Sequence, residues 1–328
     1  MSTTYELVRN QAALFDFSSE GRFFIRGEGA AEAVNAVIAS DLEAIPELKA
    51  LNTVVLDEAG AIQAIVWVLK TEDGVWVLCD PDRRKLLGER LVASAMERTA
   101  EVDDRTEATL CLAVIGPAAQ KIAMAVAGED VIGIPYLGFE ANEQTDALLC
   151  RLGYTGEFEF RFIAARERAS ELRALLLGAG AEHGLEIGEA SDLPLLMLEM
   201  RSLSQREYIP EGTSPIQAGL HWMIDFRKEN YPGHDAMHAQ KANPGCKALM
   251  LQLETVTPPV GDQAVRIEQQ EVGRCVHLAY SPTLGKTIAL AYVDAALAWV
   301  GVVFDVAGED ARAVSAPLFI TKTVASPQ

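Results

Sequence analysis

Along the first hundred residues the apolar positions fall into short β-like runs, set between turn formers and alternating with helical stretches. Residues 22–26, 52–56, 61–69 and 75–79 are predicted strands, and residues 30–38 a predicted helix. Turn formers separate them, Asp57-Glu58-Ala59-Gly60 before one strand and Glu72-Asp73-Gly74 before the next. The strands are therefore joined as hairpins, and the class is α+β. Gly116-Pro117 opens a helical stretch toward Val126, where proline is tolerated because an N–H in the first turn has no intrahelical acceptor. Over residues 166–184, Leu172, Leu175, Leu176 and Ala179 share a face, Glu167, Arg168, Glu171 and Arg173 lie away from it, and Gly184 marks the stop. That periodicity is the clearest in the chain and describes a scaffold helix.

Asn243-Pro244-Gly245 is the strongest break. Beyond it the runs at 247–253, 273–279, 288–292 and 300–306 are short, β-rich and spaced by turns, the pattern of a small antiparallel barrel. The expected domains are residues 1–243 and 246–328. No Gly-x-Gly-x-x-Gly or phosphate loop follows a strand, so a nucleotide fold has no support.

Composition narrows the partners. With 328 residues and a hydrophobic fraction of 49% the chain can furnish about two cores. A formal charge of −19 repels nucleic acid and anionic lipid, so neither is expected as a partner. No apolar run reaches the roughly 20 residues that span a bilayer, and Met1-Ser2-Thr3-Thr4-Tyr5-Glu6 lacks the basic start and apolar stretch of a secretion signal. Five scattered cysteines, Cys79, Cys111, Cys150, Cys246 and Cys275, form no CxxC pair, which suggests neither a disulfide framework nor zinc and fits a reducing cytoplasm. His234 and His238 have i, i+4 spacing without the glutamate of an HExxH pattern, so no metal is expected.

The first chemical candidate is Glu199, alone in the run Leu195-Leu196-Met197-Leu198-Glu199-Met200. An ionised group in that much hydrocarbon must be paired, protonated or reading a ligand, because unpaired burial costs several kcal/mol. Arg201 and Arg206 are the nearby cations that could instead make it a structural ion pair.

Several segments carry a resemblance. They are Arg151-Leu152-Gly153-Tyr154-Thr155-Gly156-Glu157-Phe158-Glu159, the stretch from Glu199 through Ser214-Pro215 to Ala218-Gly219-Leu220-His221-Trp222, Leu56-Asp57-Glu58-Ala59-Gly60, and Ser281-Pro282-Thr283-Leu284-Gly285-Lys286. In order and over the whole chain they resemble the glycine-cleavage T-protein (aminomethyltransferase) family, whose members hold tetrahydrofolate and transfer one-carbon units. The resemblance implies two interleaved α+β domains and a C-terminal antiparallel β-barrel around a central folate channel. It also implies that Glu199 grips the pterin, that Trp76 packs near it, that Tyr154 lines the channel and that Arg227 with Lys228 meets the anionic tail. Each has a plainer reading from the residues themselves. A tryptophan in Val75-Trp76-Val77-Leu78 suits a core, Tyr154 sits in a tight glycine turn, and Arg227-Lys228 lies beside Asp225 and Glu229.

One departure matters. Where the family's aminomethyltransferases carry two aspartates, one of them catalytic, this chain reads Gln63-Ala64-Ile65-Val66-Trp67. A positioned acid or base contributes roughly 10² to 10⁴ in rate, about 3 to 5 kcal/mol of barrier. Gln63 can orient a substrate there but cannot act as a base. Ser19-Glu20 also stands where the family shows His-Met. The iron–sulfur maintenance branch of the family is set aside, because its reactive cysteine position is Asn230 here. The expected function is therefore tetrahydrofolate-dependent transfer of a methyl or aminomethyl group from a small methylated or amino donor, driven mainly by positioning. A lipoyl carrier protein is not expected as a partner. The alternative is a non-catalytic folate-binding sensor or accessory protein.

Overall fold

The alternating runs of the first two hundred residues fold as one motif used twice. After helix α1 (Thr4–Asn10) and strand β1 (Ala12–Asp16), the chain runs β2 (Gly21–Arg26), α2 (Ala30–Asn35), β3 (Ala50–Leu56), β4 (Ile62–Thr71), β5 (Gly74–Cys79), α3 (Arg84–Met96) and β6 (Glu101–Asp104). The same order returns as β7 (Thr109–Ile115), α4 (Ala119–Ala127), β8 (Phe139–Asn142), β9 (Ala147–Cys150), β10 (Glu159–Ala165), α5 (Ala169–Gly180) and β11 (Leu185–Ile187). The first sheet is ordered β3-β4-β5-β2-β6, and the second is β8-β9-β10-β7-β1-β11. The second repeats the first with β1 inserted. The computed structural model describes residues 3–46, 48–203 and 208–325. It has two compact units, one of Met1–Val55, Ala64–Leu193 and Ile320–Gln328, the other of Leu56–Gln63 and Pro194–Phe319.

In the first unit, strand alternation sorts side chains into layers. Ala64, Val66 and Val68 of β4 join Ala30 and Val34 of α2 and Leu87 and Leu91 of α3 in one core. Leu112 and Val114 of β7 with Phe160 and Phe162 of β10 pack under Ile122 of α4 and Leu172 and Leu176 of α5 in another. The opposite faces of both sheets meet in a third core that holds Trp67, Leu69 and Leu78 from one sheet and Cys111, Cys150 and Ile163 from the other. The unit is thus helix, sheet, sheet, helix. Each large side chain buried in these layers contributes roughly 1.5–3 kcal/mol.

The second unit contains α7 (His234–Ala242) and most of α6 (Leu193–Glu199). Its main body is a barrel of β12 (Cys246–Leu253), β13 (Ala264–Ile267), β14 (Gln270–Ser281), β15 (Lys286–Asp294), β16 (Val303–Val306) and β17 (Glu309–Val314). The barrel closes in the order β12-β15-β14-β13-β16-β17 around Leu249, Leu251, Val265, Ala289, Phe304 and Ala313. Closure leaves no open strand edge. A last short helix, α8 (Lys322–Ala325), belongs to the first unit.

The expected α+β class and C-terminal antiparallel barrel are both present. The helix expected over 30–38 ends at Asn35. The stretch at 166–184 is an α-helix only from Ala169 to Gly180, with 3-10 turns at Arg166–Arg168 and Ala181–His183. Gly184 stops it at φ +70, a conformation that costs glycine little. The pattern gave no warning of α3, whose apolar positions do not gather on one side. Among the described residues no helix is long and apolar enough to cross a membrane.

Candidate functional site

The turn at residues 17–20 carries the chain from β1 in one sheet to β2 in the other. Arg22, fully buried, fixes it. Its Nη1 donates to the carbonyls of Phe17 (3.2 Å) and Glu20 (2.7 Å), its Nη2 to those of Ser18 (3.0 Å), Thr106 (2.7 Å) and Thr109 (3.1 Å), and its Nε to Thr109 Oγ1 (2.8 Å). All of these acceptors are neutral. Burial lowers the Arg22 pKa from its ordinary value.

Glu20, held at the end of that turn, reaches a second buried arginine. Arg161 of β10 donates from Nη1 to Glu20 Oε2 at 2.9 Å and from Nε to Glu159 Oε1 at 2.7 Å. Its guanidinium lies 4.6 Å from the Phe17 ring centre and 5.7 Å from that of Tyr154. Burial works against this cation, but Glu20 and Glu159 overcome it and push its pKa up. Burial likewise raises Glu159, and the charge and hydrogen bond of Arg161 counter it only in part.

Asp80, immediately after β5, faces the same cluster. Burial first, then the charges of Glu20 and Asp82, push its carboxyl up to about 7, against the opposing pull of Arg161 and Arg83. It occupies the N-cap of the turn that leads into α3 yet makes no side-chain cap bond. Aspartate at that position usually accepts a backbone N–H, worth about 1 kcal/mol.

Both aromatic candidates pack against the core between the two sheets. Tyr154 belongs to this neighbourhood, its ring 5.3 Å from Trp67, and burial pushes its phenol well above the ordinary value. Trp76 is half-buried on β5, with its ring 5.1 Å from Phe24 and the Arg105 guanidinium 5.4 Å away. Gln63, the possible substrate orienter, donates from Nε2 to Asp57 Oδ2 at 2.9 Å. Asp57 Oδ1 accepts from the backbone of Ala59 and Ala61, so Gln63 also braces the turn before β4.

In the second unit Glu199 ends α6 and is fully buried. Ser281 Oγ donates to its Oε1 at 2.5 Å, and its backbone carbonyl accepts from the Leu318 amide at 2.9 Å. The expected alternative of a pair with Arg201 is overturned. That guanidinium donates to the carbonyls of Ala248 (2.9 Å) and Ala218 (3.5 Å) and packs over Gly219, where a Cβ would meet it at 2.3 Å. Arg206 lies outside the described residues.

Arg227 and Lys228 do not make a purely cationic patch. Arg227, with an exposed side chain, clamps Asp225 through Nε (3.0 Å) and Nη2 (2.8 Å), a two-residue loop of its own. Lys228 Nζ is 5.9 Å from the Tyr231 ring centre. The rings of His234 and His238 are tilted against each other with centres 4.6 Å apart. Among the described residues no group of three or more His, Cys, Asp or Glu is arranged to hold a metal ion. All five cysteines are free, and burial pushes the thiols of Cys79 and Cys111 up to about 12.

Two α+β repeats followed by a closed six-strand barrel define the architecture, and the comparisons with known proteins agree with it. Residues 2–228 match the GCVT N-terminal domain and residues 247–319 the glycine cleavage T-protein C-terminal barrel domain. The chain is 30% identical over 292 residues to an aminomethyltransferase of Thermotoga neapolitana, covering 88% of this chain and 80% of that protein. It is 27% identical over 308 residues to one from Caldanaerobacter subterraneus subsp. tengcongensis, covering 90% and 81%. The crystal structure of the glycine cleavage system aminomethyltransferase T from Bartonella henselae matches with a TM-score of 0.87 at 21% identity, covering 97% of this chain and 89% of that one. The chain belongs to the glycine-cleavage T-protein family.

Sequence reasoning missed Arg161, Glu159 and Asp80 as parts of one cluster. The available signal was an arginine between two phenylalanines, Phe160-Arg161-Phe162.

Proposed function

We propose that this protein is a tetrahydrofolate-dependent one-carbon transferase that dispenses with carboxylates at positions 64 and 65. The observation that carries the reading is Glu199, a fully buried carboxylate at a helix end in a chain of this family. Its chemistry fits the group. A carboxylate can accept two parallel N–H bonds from an aminopyrimidine edge, and a water-poor setting strengthens them. Ser281, donating at 2.5 Å, holds the carboxylate in place. Tyr154 and Trp76 supply flat surfaces suited to the ring systems, and Arg227 and Lys228 the charge for the tail. Bound tetrahydrofolate would supply N5 as the one-carbon acceptor.

The donor is a small methylated or amino compound, and alignment of donor and acceptor supplies most of the acceleration. Family membership also keeps a lipoyl-borne aminomethyl group among the donors to be tested. The domain boundary between 243 and 246 and a cytoplasmic setting are retained in this reading, the latter supported by five free cysteines. The alternative, a folate binder without turnover, is favoured by one observation, the apolar side chains at Ala64 and Ile65.

The test is titration of the purified protein with tetrahydrofolate, followed by tryptophan fluorescence, for the wild type and Glu199→Gln. The amide keeps an acceptor for Ser281 but removes the charge, so affinity should fall about 10- to 100-fold, as loss of a charge-assisted bond implies. Absence of binding by the wild type, or equal binding by the variant, refutes the reading.

A further inference from the structure

We propose that Asp80 is the proton-transferring carboxylate of this protein, supplied from the end of β5 to the face of β4 where Ile65 stands. The inference rests on the one-carbon transferase reading and adds to it a residue that the sequence did not single out.

Strand register places the group. In the antiparallel pair β4–β5, Trp67 lies opposite Leu78 and Val66 opposite Cys79. Asp80 follows Cys79 directly at the end of β5, so by alternation it lies on the side of the sheet that Leu78 and Ile65 face. That face is the one on which Trp67 and Leu78 meet the other sheet. A carboxylate at position 80 therefore reaches the space that a carboxylate at 65 would reach.

The surroundings are those of a proton carrier and not of a structural ion pair. The ion pairs of Arg161 are with Glu20 and Glu159, and none joins it to Asp80 among the described residues. Asp80 forgoes its cap bond, and among the described residues no group hydrogen-bonds its carboxylate. The charged groups that face it are Glu20 from the β1–β2 turn, Arg161 from β10, and Asp82 and Arg83 from the turn after β5, with burial as the largest influence. Glu20 is held in place by Arg22 through the carbonyl bond at 2.7 Å. A carboxyl shared between its two forms near neutral pH is the most effective kind of acid and base there.

The step balances without an oxidant or reductant. With tetrahydrofolate bound, its N5 would take the carbon as the donor's heteroatom leaves with the bonding pair; the Asp80 carboxyl oxygen would give its proton to that heteroatom, and the carboxylate so formed would accept the proton lost from N5.

The experiment has two arms. In the first, carboxyl NMR of the 13C-aspartate-labelled full chain, assigned by loss of the signal in Asp80→Asn, should show Asp80 titrating near pH 7 and moving down in Glu20→Gln. Titration in the ordinary aspartate range, near pH 4, overturns the proposal. In the second arm, Asp80→Asn should bind tetrahydrofolate as the wild type does while turnover falls about 10²- to 10⁴-fold, with partial rescue in Asp80→Glu. Unchanged turnover in Asp80→Asn overturns the role of Asp80 and leaves the transferase reading standing. A wild type that binds folate but turns over no donor, small or lipoyl-borne, overturns the transferase reading itself, and the role of Asp80 with it.

Discussion

Arg22 and Arg161 are two arginines of one unit, both essentially removed from solvent, 0% and 1% exposed, and they do different things. Arg22 is satisfied by five backbone carbonyls and a threonine hydroxyl, Arg161 by two carboxylates. The first arrangement is a clamp. It fixes the turn that crosses between sheets and leaves no group that changes charge with pH. The second gathers Glu20, Glu159 and the neighbouring Asp80 around one cation, so ionisation at any one is felt by the others. Burial of an arginine is therefore no guide to its role until its acceptors are named.

The largest expected effects come from removing each cation. Arg22→Met strands several buried carbonyls and should destabilise by about 4 kcal/mol or more, with little change between pH 5 and 9. Arg161→Met leaves carboxylates uncompensated and should cost about 3–5 kcal/mol at pH 8. Its loss should shrink on acidification. Arg161 lowers the folded-state pKa of Glu159 against the burial that raises it, so without the cation the folded variant binds protons at higher pH than the wild type, and falling pH stabilises the variant relative to it. Urea unfolding of both variants at pH 5, 7 and 8.5 checks this. Parallel pH profiles would erase the contrast between the two sites.

How much of this was legible depends on which face a polar residue occupies. The strands around Val66 and Val77 and the barrel were readable as short β-rich runs bounded by turn formers, and the α5 helix from its period. Glu199 was readable because it stands alone in an apolar run at the end of a helix. Arg161 was not. A polar residue between phenylalanines on a strand normally faces water, but β10 is covered on both faces, by α4 and α5 on one and the other sheet on the second. Asp80 and Glu20 sit in turns, where charge is ordinary, and only the packing of two sheets brings them together. Arg227 looked available to a ligand because its partner, Asp225, is two residues away and the pairing is a matter of loop conformation.

The same alternation separates two substitutions that look equivalent in sequence. Ala64 enters the core beneath α2 and α3, and Ile65, one residue on, points by alternation to the opposite face. Ala64→Asp should therefore cost about 3–5 kcal/mol as an unpaired buried carboxylate. Ile65→Asp should cost less, and if the protein is a folate binder without turnover, Ala64→Asp or Ile65→Asp should restore some aminomethyl transfer. Thermal unfolding with an activity assay decides it, and the reverse ranking would mean that the strand shifts register when charged.

Asp80→Asn should sharpen the contrast from the other side, by stabilising. The folded pKa, about 7, lies above the unfolded value of about 3.9, so the folded state binds the proton more tightly. Stability contributed by that proton is fully present below about pH 4 and is lost as pH rises through 7. Removing the ionisable group should therefore raise stability by about 1 kcal/mol at pH 8, after a discount for partial solvent screening, and by nothing at pH 4. A gain in stability together with a loss of turnover is the signature of a strained functional group. A purely structural carboxylate would lose both.

The smallest effect is expected at Arg227→Ala. The Arg227 side chain is 85% exposed, and an exposed ion pair is worth 0–1 kcal/mol. Hydrogen bonds from Arg227 hold the Asp225 carboxyl down to about 2, so whatever stability the pair gives is present above about pH 4 and lost as pH falls toward 2. Near neutrality the variant should unfold within about 0.5 kcal/mol of the wild type. Its informative readout is folate affinity against salt. An anionic tail that reaches Arg227 must share it with Asp225, so the substitution should weaken binding of a polyglutamylated folate severalfold at low salt and hardly at all at 0.5 M, where the Debye length is only about 4 Å. Equal weakening at both salts would instead mean that the arginine holds the 225–228 loop in shape and that the tail is bound elsewhere.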